Sequence, residues 1–425
     1  MGCPFRQRGR SGKDGVDGGD GAVTVDVDRR RVLKQLGLGL LGASIPTGVV
    51  GSKALPRSDW PGFPEHSSWR PLEVGTGDTL LAPTKVAGFH TEAILDTGSG
   101  ASIISRPLAA KLGMANLEPR RIAGLSGKAA VGLVHNVEVT LADQTQVLPF
   151  AVVADLGVIS AAYGRPIDIM LGADVLASGC VALDFGKRRF AFGKSGSFAG
   201  GEGWTTLTLE HGARQELLVH ASVNGSEPVP LMLDTGSSSA LMLSAAYVET
   251  HGLLANKTHS TAALGGVEGV QIVRTFITDS VSLGGLSTKV VPTIALARWA
   301  SGSAVGNIGM PLLGQFDIVL DVALGRLWIR PIPPRSRLPM LKDRSGLGIA
   351  ASPTDLTVIH VAVGSPAAQG GWTVGDRVVA LNGFPIDTSY TRGALWQWRY
   401  GRPGEVVKLT LADGAIRTLK LADYY

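Results

Sequence analysis

The chain has 425 residues, of which 44% are hydrophobic and 57 are glycine, and its formal net charge is +5. This length allows two to four domains, and abundant glycine with few aromatic residues favours compact domains of strands and turns. Residues 1–34 hold eight Lys and Arg against five Asp and Glu, which accounts for +3 of the charge and leaves about +2 for the rest. No basic run with interleaved aromatic residues is present, so we expect no nucleic-acid binding. The eight His are scattered and no Cys cluster occurs, so we expect no metal site and no cofactor.

Residues 1–54 are typical of an export leader. A paired arginine within residues 28–34 precedes a glycine-diluted apolar stretch at residues 36–42, which is similar to twin-arginine export signals. The residues that flank the arginines depart from that pattern, so an ordinary secretion signal and a chance basic turn are alternatives. We expect cleavage near residues 52–54, no stable membrane span, and a bacterial protein exported to the periplasm or beyond the cell.

Composition divides the remaining chain into segments. Four prolines and two tryptophans predict an irregular linker that packs on the surface, and a glycine cluster marks a later boundary. A run rich in proline and arginine then predicts a stiff linker before a C-terminal unit. The predicted segments are residues 55–80, 81–200, 201–330, 331–340 and 341–425.

The tripeptide Asp-Thr-Gly occurs twice, beginning at Asp96 and at Asp234, and a serine follows each copy. Aliphatic residues precede both copies, and an apolar run that ends in Asp-Thr-Gly predicts a buried strand that delivers a carboxylate into a tight turn. Two such strands suggest that two carboxylates meet at one site. Such a pair would share one proton, because like charges at contact distance do not both ionise easily.

Both copies lie within a longer internal repeat, which argues against two chance turns. Gly172 lies 76 residues after Asp96, and Gly309 lies 75 residues after Asp234. Another aspartate follows each of these glycines by 12 residues, and the strands that come next align without gaps. The repeat therefore predicts two equivalent lobes.

The Asp-Thr-Gly loops, with the later elements at residues 170–172 and 307–309, resemble those of retropepsin-like aspartic proteases. That family has a hydrophobic-hydrophobic-Gly element that braces each loop, and the second match is imperfect because Asn307 is polar. The resemblance covers about residues 80–330 and implies a mainly β fold, with two retropepsin-like β-barrel lobes at residues 81–200 and 201–330. One chain supplies both aspartates, so we expect a monomer to be active.

The resemblance also assigns roles to particular residues. In this interpretation the two aspartates activate a water for attack on a peptide carbonyl, the two threonines lock the loops by reciprocal hydrogen bonds, and the serine hydroxyls donate to the ionised carboxylate. Donors to a carboxylate lower its pKa, so we expect an acid-leaning pH optimum. The implied catalytic residues are Asp96 and Asp234, the loop-supporting residues are Thr97, Gly98, Ser99, Thr235, Gly236 and Ser237, and the bracing residues are Gly172 and Gly309.

A flap over the cleft should follow each Asp-Thr-Gly loop. Glycine-rich turns at residues 124–127 and 264–266 stand at suitable positions, and neither contains the tyrosine of the pepsin pattern.

The C-terminal unit, residues 341–425, resembles PDZ domains in the order of its predicted strands and its one helical stretch. The sequence Gly-Leu-Gly-Ile is similar to their carboxylate-binding loop, so Leu347, Gly348 and Ile349 are expected to bind peptide C-termini by strand addition. The alternative is a small β domain that merely packs against the lobes.

The sequence as a whole predicts an aspartic endopeptidase that acts on peptide or protein substrates. A non-catalytic peptide-binding scaffold with idle lobes is the alternative. A phosphorylated aspartate of the transport-ATPase kind is excluded, because that motif needs Lys between Asp and Thr. A serine protease is excluded because no Gly-x-Ser-Gly-Gly loop is present.

Overall fold

Two lobes and a C-terminal unit follow one another in the computed structural model, which describes most of the chain beyond residue 59. All described residues belong to one compact unit, Ser58–Tyr425. The predicted export signal at residues 1–54 and the predicted flap turn at residues 124–127 lie outside the described residues. Those described are residues 60–63, 69–71, 73–74, 80–115, 117–123, 128–142, 144–163, 165–177, 179–266, 269–334, 337, 340–391 and 393–425.

The first lobe consists of strands with three short helices. Its elements are β1 (Arg70–Pro71), β2 (Glu73–Val74), β3 (Leu80–Val86), β4 (Phe89–Leu95), β5 (Ile103–Ser105), α1 (Arg106–Lys111), β6 (Glu118–Ala123), β7 (Lys128–Leu141), β8 (Gln144–Ala154), α2 (Gly157–Tyr163), β9 (Ile169–Leu171), α3 (Ala173–Leu176), β10 (Gly179–Asp184) and β11 (Arg189–Lys194).

The second lobe repeats most of this order without a counterpart of α2 among its described residues. Its elements are β12 (Thr205–Thr208), β13 (Glu210–His211), β14 (Leu217–Val223), β15 (Val229–Leu233), β16 (Leu241–Ser244), α4 (Ala245–Thr250), β17 (Ser260–Gly266), β18 (Gly269–Leu283), β19 (Leu286–Leu296), β20 (Gly306–Ile308), α5 (Met310–Leu313), β21 (Phe316–Asp321) and β22 (Arg326–Pro331).

The C-terminal unit is a sheet with its own hydrophobic core, which includes Leu347, Val358, Trp396 and Leu409. Its strands run in the order β23-β24-β25-β27-β28, with β26 paired to β25, so β23 is an edge strand. Its elements are β23 (Leu347–Ala351), β24 (Leu356–Val361), α6 (Pro366–Gln369), β25 (Arg377–Leu381), β26 (Phe384–Pro385), a 3₁₀ helix (Leu395–Tyr400), β27 (Val406–Leu411) and β28 (Ile416–Lys420).

Each lobe has an eight-stranded sheet, and the two lobes share a third sheet of six strands in the order β1-β11-β10-β21-β22-β12. In that shared sheet β10 of the first lobe pairs antiparallel with β21 of the second. The predicted mainly β fold with two β lobes is confirmed. The sequence repeat located the strands of the shared sheet, but it did not predict that they pair with each other.

The helices that follow the two Asp-Thr-Gly loops begin at equivalent serines. Ser105 Oγ accepts a hydrogen bond from Leu108 N, and Ser244 Oγ accepts one from Tyr247 N, both at 3.1 Å. A serine in this position satisfies an N–H that the first helical turn leaves unpaired. The sequence predicts short helices over residues 107–112 and 244–251, at similar distances after the two loops, and helices α1 and α4 lie within one residue of those ranges.

The segment before the first lobe contributes to a core, although its sequence predicts a surface linker. Trp60 and Phe63 are buried against the shared sheet, in a cluster with Phe198 and Trp328. Edge-to-face contacts join Trp60 to Trp204, with ring centroids 5.2 Å apart. Aromatic side chains bury large apolar areas, so these residues help to cover the outer face of the sheet.

Reciprocal hydrogen bonds between two buried threonines join the lobes at their centre. Thr97 Oγ1 donates to Leu233 O and Thr235 Oγ1 donates to Leu95 O, both at 2.7 Å. Each hydroxyl also accepts the backbone N–H of the other threonine, at 3.0 and 3.1 Å. Both loops therefore satisfy their buried backbone groups only when the lobes are correctly aligned.

We predict that Thr97→Val lowers the free energy of unfolding by about 2–5 kcal/mol, because the variant leaves Leu233 O and Thr235 N buried without partners. Denaturant unfolding measures the change. Thr84→Val is the control, since among the described residues the buried Thr84 hydroxyl bonds only to Ala82 O of its own strand, and a loss of about 1 kcal/mol is expected there. Equal losses in the two variants would contradict this account of the interface.

Candidate active site

Parallel strand pairs position the two aspartates at equivalent points. Strand β4 lies beside β9 and β15 lies beside β20. The N–H of Asp96 donates to Leu171 O at 2.8 Å, and that of Asp234 donates to Ile308 O at 3.0 Å. The following glycines, Gly172 and Gly309, lie against the loops, as their predicted bracing role requires. A β-carbon on Gly309, for example, would lie 2.0 Å from Ser239 O.

The two carboxyl groups are brought into contact by glycines in the facing loops. A β-carbon on Gly98 would lie 2.6 Å from Asp234 Cγ, and one on Gly236 would lie 2.5 Å from Asp96 Cγ. Any larger residue at these positions would separate the loops. Each glycine N–H also donates to the carboxylate of its own loop at 3.0 Å. The fold thus joins two buried aspartates that are 138 positions apart in the sequence.

Burial and mutual proximity determine where the shared proton lies. Burial raises the pKa of Asp96 to about 6, and hydrogen bonds from the Asp234 side chain and from backbone N–H groups oppose that rise. Burial and the negative charge of Asp96 hold the pKa of Asp234 well above its ordinary value. Two carboxyl groups in contact titrate as a pair, and here Asp234 keeps the proton while Asp96 ionises first.

The expected contribution of the loop serines is wrong. Ser99 Oγ donates to Ala101 O at 2.6 Å, and Ser237 Oγ donates to Ser239 O at 3.5 Å, so both hydroxyls satisfy carbonyl groups of their own turns. The predicted lowering of the carboxyl pKa values is therefore also wrong, because burial outweighs the backbone donors that remain.

Asn307 is a residue of the site whose importance the sequence analysis missed. Its side chain is fully buried, and Nδ2 donates to Asp234 Oδ2 at 2.5 Å. The equivalent residue of the first lobe is Met170, which has no such donor, so the pair is electrostatically asymmetric. Asn307 Oδ1 has no hydrogen-bond partner among the described residues. In the sequence, the sign of this role is that a polar residue stands in an otherwise apolar element, where it departs from the family pattern.

A cavity of about 610 Å³ opens above the two aspartates. Helix α2 of the first lobe and strand β17 of the second line its walls. The predicted flap turn at residues 264–266 forms the end of β17, and a β-carbon on Gly265 would lie 3.3 Å from Val158 Cγ1 of α2. The hairpin of the second lobe therefore reaches helix α2 of the first lobe at the cavity wall.

Side chains of the C-terminal unit bond to the N-terminal part of its predicted carboxylate-binding loop, residues 346–349. The N–H groups of Ser345 and Gly346 donate to the carboxylate of Asp343 at 3.3 and 2.8 Å. The N–H of Leu347 donates to Ser345 Oγ at 3.0 Å, and Leu347 O accepts from Arg399 Nη1 at 3.0 Å. Of the three residues predicted to bind peptide, Leu347 is buried in the core of the unit and Ile349 is half-buried, while Gly348 faces β17.

Two broader features complete the description of the site. No group of three or more His, Cys, Asp or Glu side chains has an arrangement suited to a metal ion within the described part of the chain. Within the same part, none of the helices combines the length and the apolar character that crossing a membrane requires.

Two segments of the chain match the model of the aspartyl protease family, over residues 82–175 and 219–314. Each segment contains one Asp-Thr-Gly loop together with its hydrophobic-hydrophobic-Gly element. Comparison with curated proteins gives no match. The paired matches support the description of the chain as a protease-like hydrolase whose aspartyl-protease fold is repeated in two lobes.

Proposed function

We propose that the protein is an aspartic endopeptidase that hydrolyses peptide bonds. A single chain supplies both aspartates, so no dimerisation is needed. The observation that carries this proposal is the contact between two buried carboxyl groups, Asp96 and Asp234, beneath a cavity of about 610 Å³. A pair of carboxyl groups that shares one proton supplies a general base and a general acid at the same place. The family matches, which include both loops, support the same conclusion.

The pKa order assigns the two roles. Ionised Asp96 takes a proton from a water molecule held between the carboxyl groups, and the water oxygen attacks the scissile carbonyl carbon. Protonated Asp234 gives its proton to the carbonyl oxygen as negative charge develops there. When the tetrahedral intermediate collapses, the C–N bond breaks, the leaving amine takes the proton from Asp96, and Asp234 recovers its own.

Substitution of either aspartate tests this proposal. We predict that Asp96→Asn and Asp234→Asn each lower kcat/KM by at least about a hundredfold, the usual contribution of a general acid or base. A quenched fluorescent peptide library provides the assay. Asp279→Asn, which changes an exposed carboxylate on β18, is the control and should retain activity. Equal cleavage by the parent and both site variants would favour an idle, peptide-binding scaffold.

The pH dependence should reflect the raised pKa of the base. We predict that kcat/KM falls as the pH decreases through about 6, because Asp96 must be ionised to accept a proton. Measurements of kcat/KM from pH 4 to 9, with circular dichroism to monitor folding, would reveal this decrease on the acidic side of the profile. Full activity at pH 4 in a folded protein would contradict the assignment of the base.

Asn307 should act as a positioning residue that sets the acidity of Asp234. We predict that Asn307→Leu moves the alkaline limb of the kcat/KM profile to higher pH, because the variant removes a donor that favours ionised Asp234. Met170→Leu, at the equivalent place in the first lobe, is the matched control and should leave that limb unchanged. A change in the magnitude of kcat/KM without a shift of the alkaline limb along the pH axis would assign a purely structural role to Asn307.

We further propose that the C-terminal unit is a PDZ-like domain that recognises peptide C-termini. Its edge strand β23 is suited to strand addition. The N–H of Leu347, one of the three predicted donors to a peptide carboxylate, donates to Ser345 Oγ, while Asp343 accepts from the preceding N–H groups of Ser345 and Gly346. Export through the predicted leader remains a prediction from sequence.

Peptides that differ only at the C-terminus test this recognition. We predict that the protein binds free-acid peptides about tenfold more tightly than their amides, the effect of one charge-assisted hydrogen bond. Fluorescence polarisation measures both affinities. Equal affinity for the two forms would contradict recognition of the terminal carboxylate.

A further inference from the structure

The cavity above the two aspartates has a third wall, which the C-terminal unit supplies. Ile349 on β23, Tyr400 of the 3₁₀ helix and Tyr425 line the same continuous space as Asp96 and Asp234. Strand β23 also contacts both α2 of the first lobe and β17 of the second. The C-terminal unit thus adjoins the cavity across both lobes.

A row of neighbouring side chains connects the aspartates to this third wall. Asn307 is the cross-strand neighbour of Met242, Met242 of Ile294, and Ile294 of Thr275. The last three residues line the cavity. Adjacent strands lie about 4.8 Å apart, so this row spans roughly 14 Å, which an extended peptide covers in about four residues. At its far end Thr275 hydrogen-bonds to the side chain of Tyr425.

Specific contacts hold the C-terminal unit against the flap hairpin. Thr261 Oγ1 and His360 Nε2 are 2.9 Å apart, and Ser260 Oγ donates to Val363 O at 2.6 Å. A β-carbon on Gly348 would lie 3.0 Å from Ala263 Cβ, so the absence of a side chain there allows β23 to approach β17 closely. Gly348 therefore serves the contact between the units.

The third wall combines aliphatic side chains with tyrosine, histidine and charged side chains where it meets the cavity. Ile349, Leu341 and Ile359 present aliphatic side chains there. The two charged groups nearby, Asp343 and Arg399, are occupied by hydrogen bonds within the unit. The cavity has a volume of about 610 Å³ with the unit in place, which is within the range of sites that hold drug-sized ligands.

We propose that the C-terminal unit forms a distal substrate subsite of the protease cleft, which receives an apolar side chain about four residues from the scissile bond while the unit stays docked. This inference rests on the proposed endopeptidase function. It differs from recognition of peptide C-termini, since the segment bound is an internal part of the substrate that is cut.

Peptides of graded length test the distal subsite. A series that extends two or six residues on either side of one scissile bond, with leucine at the distal positions, should show a gain in kcat/KM for the longer members. In Ile349→Thr the ratio of kcat/KM for long over short peptides should fall about tenfold, the usual effect of a lost apolar contact. An unchanged ratio of kcat/KM for long over short peptides would overturn the proposed subsite but leave the endopeptidase proposal standing. Failure of the parent to cleave any member would overturn the endopeptidase proposal and the subsite with it.

A weakened contact tests whether the unit stays docked during catalysis. Ser260→Ala removes the hydrogen bond from Ser260 Oγ to Val363 O, which joins the flap hairpin to the C-terminal unit. If the docked unit forms the subsite, the ratio of kcat/KM for long over short peptides should fall in this variant, while cleavage of the short peptides stays within about twofold of the parent. A rise in kcat/KM for the long peptides would overturn the proposal, since the unit would then have to leave for substrate to bind.

Discussion

The contact between the two Asp-Thr-Gly loops is the constraint on which the rest of the structure depends. Each threonine hydroxyl bonds to a main-chain carbonyl of the opposite lobe, so neither loop is satisfied alone. The glycines that follow allow the carboxyl of the opposite lobe to lie over each loop, where a β-carbon would collide with it. The shared six-stranded sheet fixes the lobes at this separation, since β10 and β21 pair in only one register.

Close approach also determines the electrostatics of the pair. Two buried carboxyl groups in contact cannot both be charged without a large penalty, so one retains its proton after the other has ionised. Symmetric lobes would leave the position of that proton undecided. The burial of Asp234 beside the charge of Asp96 favours the proton on Asp234, while Asn307 opposes this preference through its amide donor. Asn307 therefore narrows the difference in acidity between the two aspartates without reversing it.

The loop of the C-terminal unit that resembles a carboxylate-binding site is partly engaged within the unit. The N–H of Leu347 donates to Ser345 Oγ, and Asp343 accepts from the N–H groups of Ser345 and Gly346. The same unit also presents aliphatic side chains to the cavity and a position without a side chain, Gly348, to strand β17. The unit therefore adjoins the cavity that contains the two aspartates.

The sequence by itself determined the two lobes, the paired aspartates and the two helices after the loops, because repeated spacings survive in one dimension. The hydrogen bonds between the threonines were implied by the resemblance to a known family. The sequence did not determine the shared sheet, the burial of Trp60 and Phe63, or the partners of Ser99 and Ser237, since these depend on which groups meet after folding. The pKa order of Asp96 and Asp234 also required the tertiary structure. Desolvation and the distance between charges are properties of the folded site, and no motif encodes how deeply a carboxyl group is buried.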